Sequence, residues 1–163
     1  MTVHLEIRNE SKRRAPCRRD TLQRLANAIC EGEKVTEPVE VSLLLCGDDF
    51  IRVLNRDYRK QDKPTDVLSF AQKTPAGASP RPLGDIVISL DTVERNAEET
   101  QEDVRREVQL LFCHGLLHLL GYTHKTERTQ ARMAAKQAQY LGISREAAWP
   151  GPGRTDRKTG TGR

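Results

Sequence analysis

Apolar residues in this chain recur with two periods, and the switches between them divide it into elements. From Val3 the segment VHLEIR alternates apolar and polar, which predicts a strand. Residues 18–30 place Leu22, Leu25, Ala26 and Ile29 at helical spacing, and Val39–Cys46 (VEVSLLLC) reads as a buried strand. Gly47-Asp48 then breaks the pattern. Asp48 is the expected cap of a helix with Phe50, Ile51, Leu54 and Tyr58 on its inner face and Arg52, Arg56 and Arg59 on another. A short strand follows at DVLSF. The segment Ala71–Leu83, with three prolines and a glycine, predicts a loop. GDIVISL is a further strand, and Asp91-x-x-Glu94 suggests a capping box for the next helix. Residues 104–120 are apolar on nearly every side, as in a buried helix, with Gly121 as its stop. A last amphipathic helix is expected over 126–141, carrying Met133, Ala134, Ala138 and Leu141 inward. The order predicts an α+β fold: one domain over residues 1–149, a mixed sheet of about four strands, packed helices and a buried histidine-bearing helix.

Composition narrows the class. The chain has 163 residues, enough for one domain with a real core. No apolar run approaches the roughly 20 residues of a membrane helix, and the first residues lack a signal-peptide pattern, so a cytoplasmic protein is expected. The four cysteines form no CxxC pair and read as free thiols. Net charge is +4, of which residues 150–163 carry +3; their Pro/Gly/Arg/Thr composition predicts a disordered basic tail. The remainder is close to neutral, so local clusters matter more than the overall sign: Lys12, Arg13, Arg14, Arg18 and Arg19 near the start, and Arg52, Arg56, Arg59, Lys60 and Lys63 in the middle.

Three of the four histidines fall within HGLLHLLGYTH, residues 114–124. His114 and His118 leave one helix face a turn apart, and the Gly121 turn lets His124 reach the same point. Three neutral imidazoles suit Zn²⁺ or a similar borderline metal, and three protein ligands leave a fourth position open, as in catalytic sites. The spacing also fits a protease signature, but that signature needs Glu directly after the first histidine, where this chain has Gly115. A peptidase reading weakens accordingly.

The chain resembles the YbeY family of single-strand-specific endoribonucleases, which act in ribosomal RNA maturation and ribosome quality control. The resemblance rests on HGLLHLLGYTH, on LNRDYRKQDKPTDVLSF from Leu54 to Phe70, and on Leu83-Gly84-Asp85-Ile86, and it spans about Leu43 to Leu141. It implies that His114, His118 and His124 are metal ligands and that Arg59 is the functional arginine. It also implies a four-stranded mixed sheet, zinc as the metal with nickel considered, and ribosomal RNA as substrate. Two departures stand out. The family's usual Asp before the last histidine is Thr123 here, and where the family tends to be acidic after Met133 this chain has Lys136 and Gln137.

The chemistry is consistent with these residues. Phosphodiester cleavage builds charge on non-bridging oxygens; a metal with an open site can polarise one, and the planar guanidinium of Arg59 can hold another. Thr65, Asp66, Ser69 and Asp85, with Thr123, are candidates to line or brace the pocket. Aromatic residues are few, so single-stranded RNA would be held mainly by backbone charge and groove shape, with Tyr58 and Tyr122 the candidates for stacking. No DNA and no membrane partner is expected. Two other readings remain: a metallohydrolase acting on peptide or another substrate, and a non-catalytic RNA- or ribosome-binding factor stapled by a structural metal.

Overall fold

The computed structural model describes residues 3–74, 76–100 and 103–149; the expected tail, 150–163, lies outside them. The elements are β1 (Val3–Asn9), α1 (Arg19–Gly32), β2 (Val39–Cys46), α2 (Asp48–Arg59), β3 (Val67–Ala71), β4 (Arg81–Ser89), α3 (Leu90–Thr100), α4 (Val104–Leu119) and α5 (Glu127–Leu141). The fold is α+β, built on one four-stranded mixed sheet in the order β1-β2-β4-β3. β1, β2 and β4 run parallel, and β3 is antiparallel to β4.

One face of this sheet carries the main core. Val41, Leu43 and Leu45 of β2 and Ile86 and Ile88 of β4 meet Leu22 and Ile29 of α1 and Leu111, Phe112 and Leu116 of α4. The approach of α4 depends on Gly115: a Cβ there would lie 2.9 Å from Ile86. The absence of a side chain lets the helix lie close on β4. On the other face α2 covers the sheet, and Ile51 joins Cys46, Leu68 and Val87 in a smaller cluster.

That thinner cover corrects the expected face of α2. Ile51 and Asn55 are its buried residues, while Phe50 and Tyr58 are exposed. Tyr58 rests edge-on against Phe70 with ring centroids 5.3 Å apart. Asp48 is also not the cap of its own helix. Gly47 occupies that position without a side-chain bond, and Asp91 from α3 accepts the Asp48 N–H at 2.9 Å. The box expected at Asp91 and Glu94 does not form, because α3 already begins at Leu90 and Asp91 is turned across to α2 and Arg13. The loop expected over Ala71–Leu83 is shorter than read: β3 includes Ala71, and β4 starts at Arg81. A register shift between Glu40 and Val41, opposite Pro82 and Gly84, marks a bulge there, and Gly84 takes φ +140°. A Cβ on Gly84 would fall 2.1 Å from the Phe70 carbonyl oxygen.

All four cysteines are free, and Cys30, Cys46 and Cys113 are buried. Among the described residues no helix is long and apolar enough to cross a membrane.

Candidate metal centre

Helix α4 begins at Asp103, whose carboxylate accepts the Arg105 N–H at 2.8 Å, and ends in a tight turn. Gly121 takes φ +106°, its N–H bonds the His118 carbonyl at 3.0 Å, and the Tyr122 N–H bonds the Leu117 carbonyl at 3.0 Å. This pair of bonds is a Schellman ending, which needs a left-handed residue at the glycine position. It turns the chain back so that Tyr122, Thr123 and His124 lie over the last turn of the helix.

The three histidines converge. Their ligand atoms all lie within 4.8 Å of one another; His114 and His124 are buried and His118 is partly so. Two outer bonds set the tautomers. His118 Nδ1 is 2.8 Å from the Tyr122 carbonyl oxygen, which can only accept, so Nδ1 carries the proton. His114 Nδ1 is 2.8 Å from Gln137 Oε1, and the Gln137 amide nitrogen donates to the Ala148 carbonyl, which fixes the amide with its oxygen toward the ring. Both imidazoles therefore direct bare Nε2 lone pairs inward, and these two nitrogens are 3.2 Å apart. Two lone pairs facing each other at that distance repel, and a cation shared between them removes the repulsion. The donor set fits a borderline divalent metal with imidazole ligands, and His114 and His118 are each oriented by an outer hydrogen bond.

Trp149 covers part of the cluster. Its ring stands edge-on to His114 and His124, with centroids at 5.1 and 5.4 Å. Beside His118 lies a cavity of about 230 Å³ lined by Ser69, Ala71, His118, Leu119, Gly121, Tyr122, Thr123 and Lys125. Arg59, at the end of α2, reaches the Ser69 carbonyl oxygen at 3.5 Å, the outer limit of a hydrogen bond, so it borders the strand that lines this cavity. Partial burial pulls its pKa below the usual arginine value, yet a guanidinium stays charged.

The remaining expected site residues divide. Ser69 and Thr123 line the cavity beside His118. Thr65 and Asp66 are buried one step behind it: Asp66 Oδ1 accepts the Val67 N–H at 2.7 Å, and the Asp66 carbonyl accepts the Ser89 N–H at 2.9 Å. They anchor the start of β3, the strand that carries Ser69. Asp85 is not brought to the histidines. The strand alternation that turns Ile86 toward Gly115 turns Asp85 to the opposite sheet face, where it borders a groove with Arg8, Ser42 and Tyr58.

Three participants were not read from the sequence as part of the site. Gln137 had a visible signal, a polar residue four after Met133 on an apolar helix face. Trp149 and Glu33 had none. Glu33, at the end of α1, accepts the Tyr122 hydroxyl at 2.7 Å and the Tyr140 hydroxyl at 2.5 Å, with Lys136 Nζ at 3.3 Å. Desolvation raises the pKa of Glu33, but the bonds from Tyr140, Tyr122 and Lys136 outweigh it and hold the carboxylate below its usual value. Tyr122 also carries Arg132 over its ring at 5.2 Å.

The Endoribonuclease YbeY family matches residues 6–144 of this sequence. The chain belongs to the YbeY family. An Endoribonuclease YbeY of Geobacillus thermodenitrificans is 40% identical over 149 residues, covering 86% of this chain and 96% of the relative. One of Myxococcus xanthus is 54% identical over 106 residues, covering 64% of this chain but only 36% of the longer relative. Among solved structures, the solution structure of TM1509 from Thermotoga maritima is 30% identical with a TM-score of 0.55, covering 89% of each chain. The resemblance that had rested on short motifs thus extends over most of the described YbeY fold.

Proposed function

We propose that this protein is a metal-dependent, single-strand-specific endoribonuclease of the cytoplasm, acting in ribosomal RNA maturation at the 3′ end of the small-subunit RNA and in ribosome quality control. One Zn²⁺ is the proposed resident ion, with nickel the alternative, held by His114, His118 and His124. RNA rather than DNA is the proposed substrate, and residues 1–149 are the catalytic domain.

The observation that carries this reading is the pair of inward Nε2 atoms of His114 and His118 beside a cavity whose wall includes Ser69, the residue that Arg59 contacts. When bound, the metal supplies Lewis-acid chemistry at the scissile phosphate. The protein's own residues do the rest. The Tyr122 carbonyl and Gln137 hold the imidazoles in one tautomer. Arg59 is proposed to hold a non-bridging phosphate oxygen and to gain strength as charge develops there. Trp149 packs edge-on against His114 and His124 and covers part of the imidazole cluster. Gly115, buried against Ile86, stands where a metallopeptidase of this spacing needs its carboxylate, which disfavours the peptide reading.

The deciding experiment compares unstructured and duplex RNA as substrates, with and without chelator. The reading expects cleavage of the unstructured RNA alone, abolished by chelation. Full metal occupancy without cleavage of either RNA would leave a binding factor with a structural metal instead.

A further inference from the structure

Beside the histidine turn, α5 and the residues before it carry a row of cations, most of them outside any ion pair among the described residues. Arg128, Arg132 and Lys136 recur at four-residue steps, so they share one helix face and advance about 6 Å per step. Lys125 precedes the helix, and its only acidic residue is Glu127 in the first turn. Lys136 is engaged by Glu33 at 3.3 Å. Lys125, Arg128 and Arg132 are exposed, and among the described residues none of them enters an ion pair. Two arginines of α2 differ: Arg52 is held by Asp62 at 2.8 Å and Arg56 by Asp57 at 3.0 Å.

Two of these cations, Lys125 and Arg132, also border a depression formed by two adjoining cavities. The cavity beside His118 shares Gly121, Tyr122 and Thr123 with a second one, of about 360 Å³, whose far wall is Thr129 and Arg132 of α5. Lys125 borders the first and Arg132 the second. Glu33 also borders the second cavity, but Tyr122, Tyr140 and Lys136 occupy its carboxylate. The depression therefore runs from the histidines across the turn to α5 with net positive walls.

We infer that this depression is a backbone-binding track for single-stranded RNA, in which Lys125, Arg128 and Arg132 contact consecutive phosphates on one side of the metal centre. The inference deepens the endoribonuclease reading and rests on it for the identity of the strand. Residues that read phosphates without bases confer affinity and salt dependence, with little sequence preference. The four-residue rise of a helix face, about 6 Å, is comparable to the step between neighbouring phosphates along an RNA strand, so successive cations can meet successive phosphates.

The test is the salt dependence of binding between the full metal-loaded chain and an unstructured oligoribonucleotide, with steady-state cleavage alongside. Replacing Lys125→Ala, Arg128→Ala and Arg132→Gln together should reduce the slope of log affinity against log salt by about 2, since each phosphate contact on a single strand contributes about 0.7. KM should rise roughly tenfold or more while kcat stays within about twofold, as expected when ground state and transition state lose the same binding. The control Arg52→Ala with Arg56→Ala removes charge of the same sign and should move the slope far less. Because Arg132 also packs on Tyr122, the pair Lys125→Ala with Arg128→Ala is measured separately and should still lower the slope by about 1.4. An unchanged slope in both variants overturns the track, as does an equal loss in the α2 control. Wild-type protein that binds RNA with the expected slopes but never cleaves it would overturn the nuclease reading and leave the track standing. Cleavage with an unmoved slope would do the reverse.

Discussion

The hydroxyl of Tyr122 donates to the Glu33 carboxylate at 2.7 Å, across 89 residues of sequence. The backbone carbonyl of the same Tyr122 accepts from His118 Nδ1. One residue thus ties α1 to the orientation of His118, a proposed metal ligand. Tyr122→Phe and Glu33→Gln should each weaken metal affinity, by about 10–100-fold if they act as outer partners of ligands usually do. Tyr140→Phe removes a bond to the same carboxylate without touching the histidine turn, and should lower the melting temperature while leaving affinity nearly intact. Competition against a chromophoric chelator separates these cases; wild-type affinity in both Tyr122→Phe and Glu33→Gln would refute the tie.

His118→Ala should abolish tight metal binding, since it removes one of three converging nitrogens. Elemental analysis of protein prepared without added metal reads the result directly. Unchanged metal content would mean that the histidines are not the ligands.

Arg59→Ala should retain fold and metal yet lose single-turnover cleavage by on the order of 10²-fold or more, as for other lost electrostatic groups at a reacting centre. Arg59→Lys should rescue poorly, because an ammonium lacks the planar fork. Arg56→Ala, one turn back and paired with Asp57, should cost little. Near wild-type cleavage by metal-loaded Arg59→Ala would remove the arginine from the mechanism.

Gly84→Ala should destabilise the protein by about 3 kcal/mol or more, combining overpacking with a disfavoured backbone. The position has φ +140° and would place a Cβ 2.1 Å from the Phe70 carbonyl oxygen. Chemical denaturation measures it, and a loss under about 1 kcal/mol would show that the bulge relaxes easily.

Asp48 joins three elements: it accepts from Ser89 at 2.8 Å, from Thr92 at 2.7 Å and from Arg95 at 2.6 Å. Desolvation raises its pKa, but these bonds and the Arg95 charge prevail and lower it. A carboxylate with a depressed folded pKa stabilises the protein fully above its unfolded pKa, and the benefit disappears as pH falls through the folded value. Asp48→Asn should therefore reduce stability at neutral pH by about 1–3 kcal/mol and flatten the acid limb of the stability curve. Parallel curves for mutant and wild type would show that Asp48 is not titrating with unfolding.

The sequence conveyed the fold where periodicity and burial coincide. VEVSLLLC reads as a strand because alternate residues meet α1 and α4, and β2 indeed spans Val39–Cys46. The inner face of α2 differs from the sequence reading because the cluster beneath it is small, leaving Phe50 and Tyr58 exposed. Asp48 and Asp91 were misread because their partners lie on other elements, and capping rules consider only near neighbours. The histidine cluster was legible because all three histidines sit on one helix and its closing turn. Glu33 and Trp149 reach the site only through tertiary packing, which no local spacing records.

Gln137 bonds His114 with its oxygen and the Ala148 carbonyl with its nitrogen. The segment after α5 is therefore tied to the histidines through this amide, as well as through the Trp149 ring. Ion occupancy and the docking of that segment become thermodynamically linked: whatever favours one must favour the other, by the same factor. A protease directed at residues 143–149 would then serve as a gauge of metal loading, with cleavage accelerating as the ion is withdrawn.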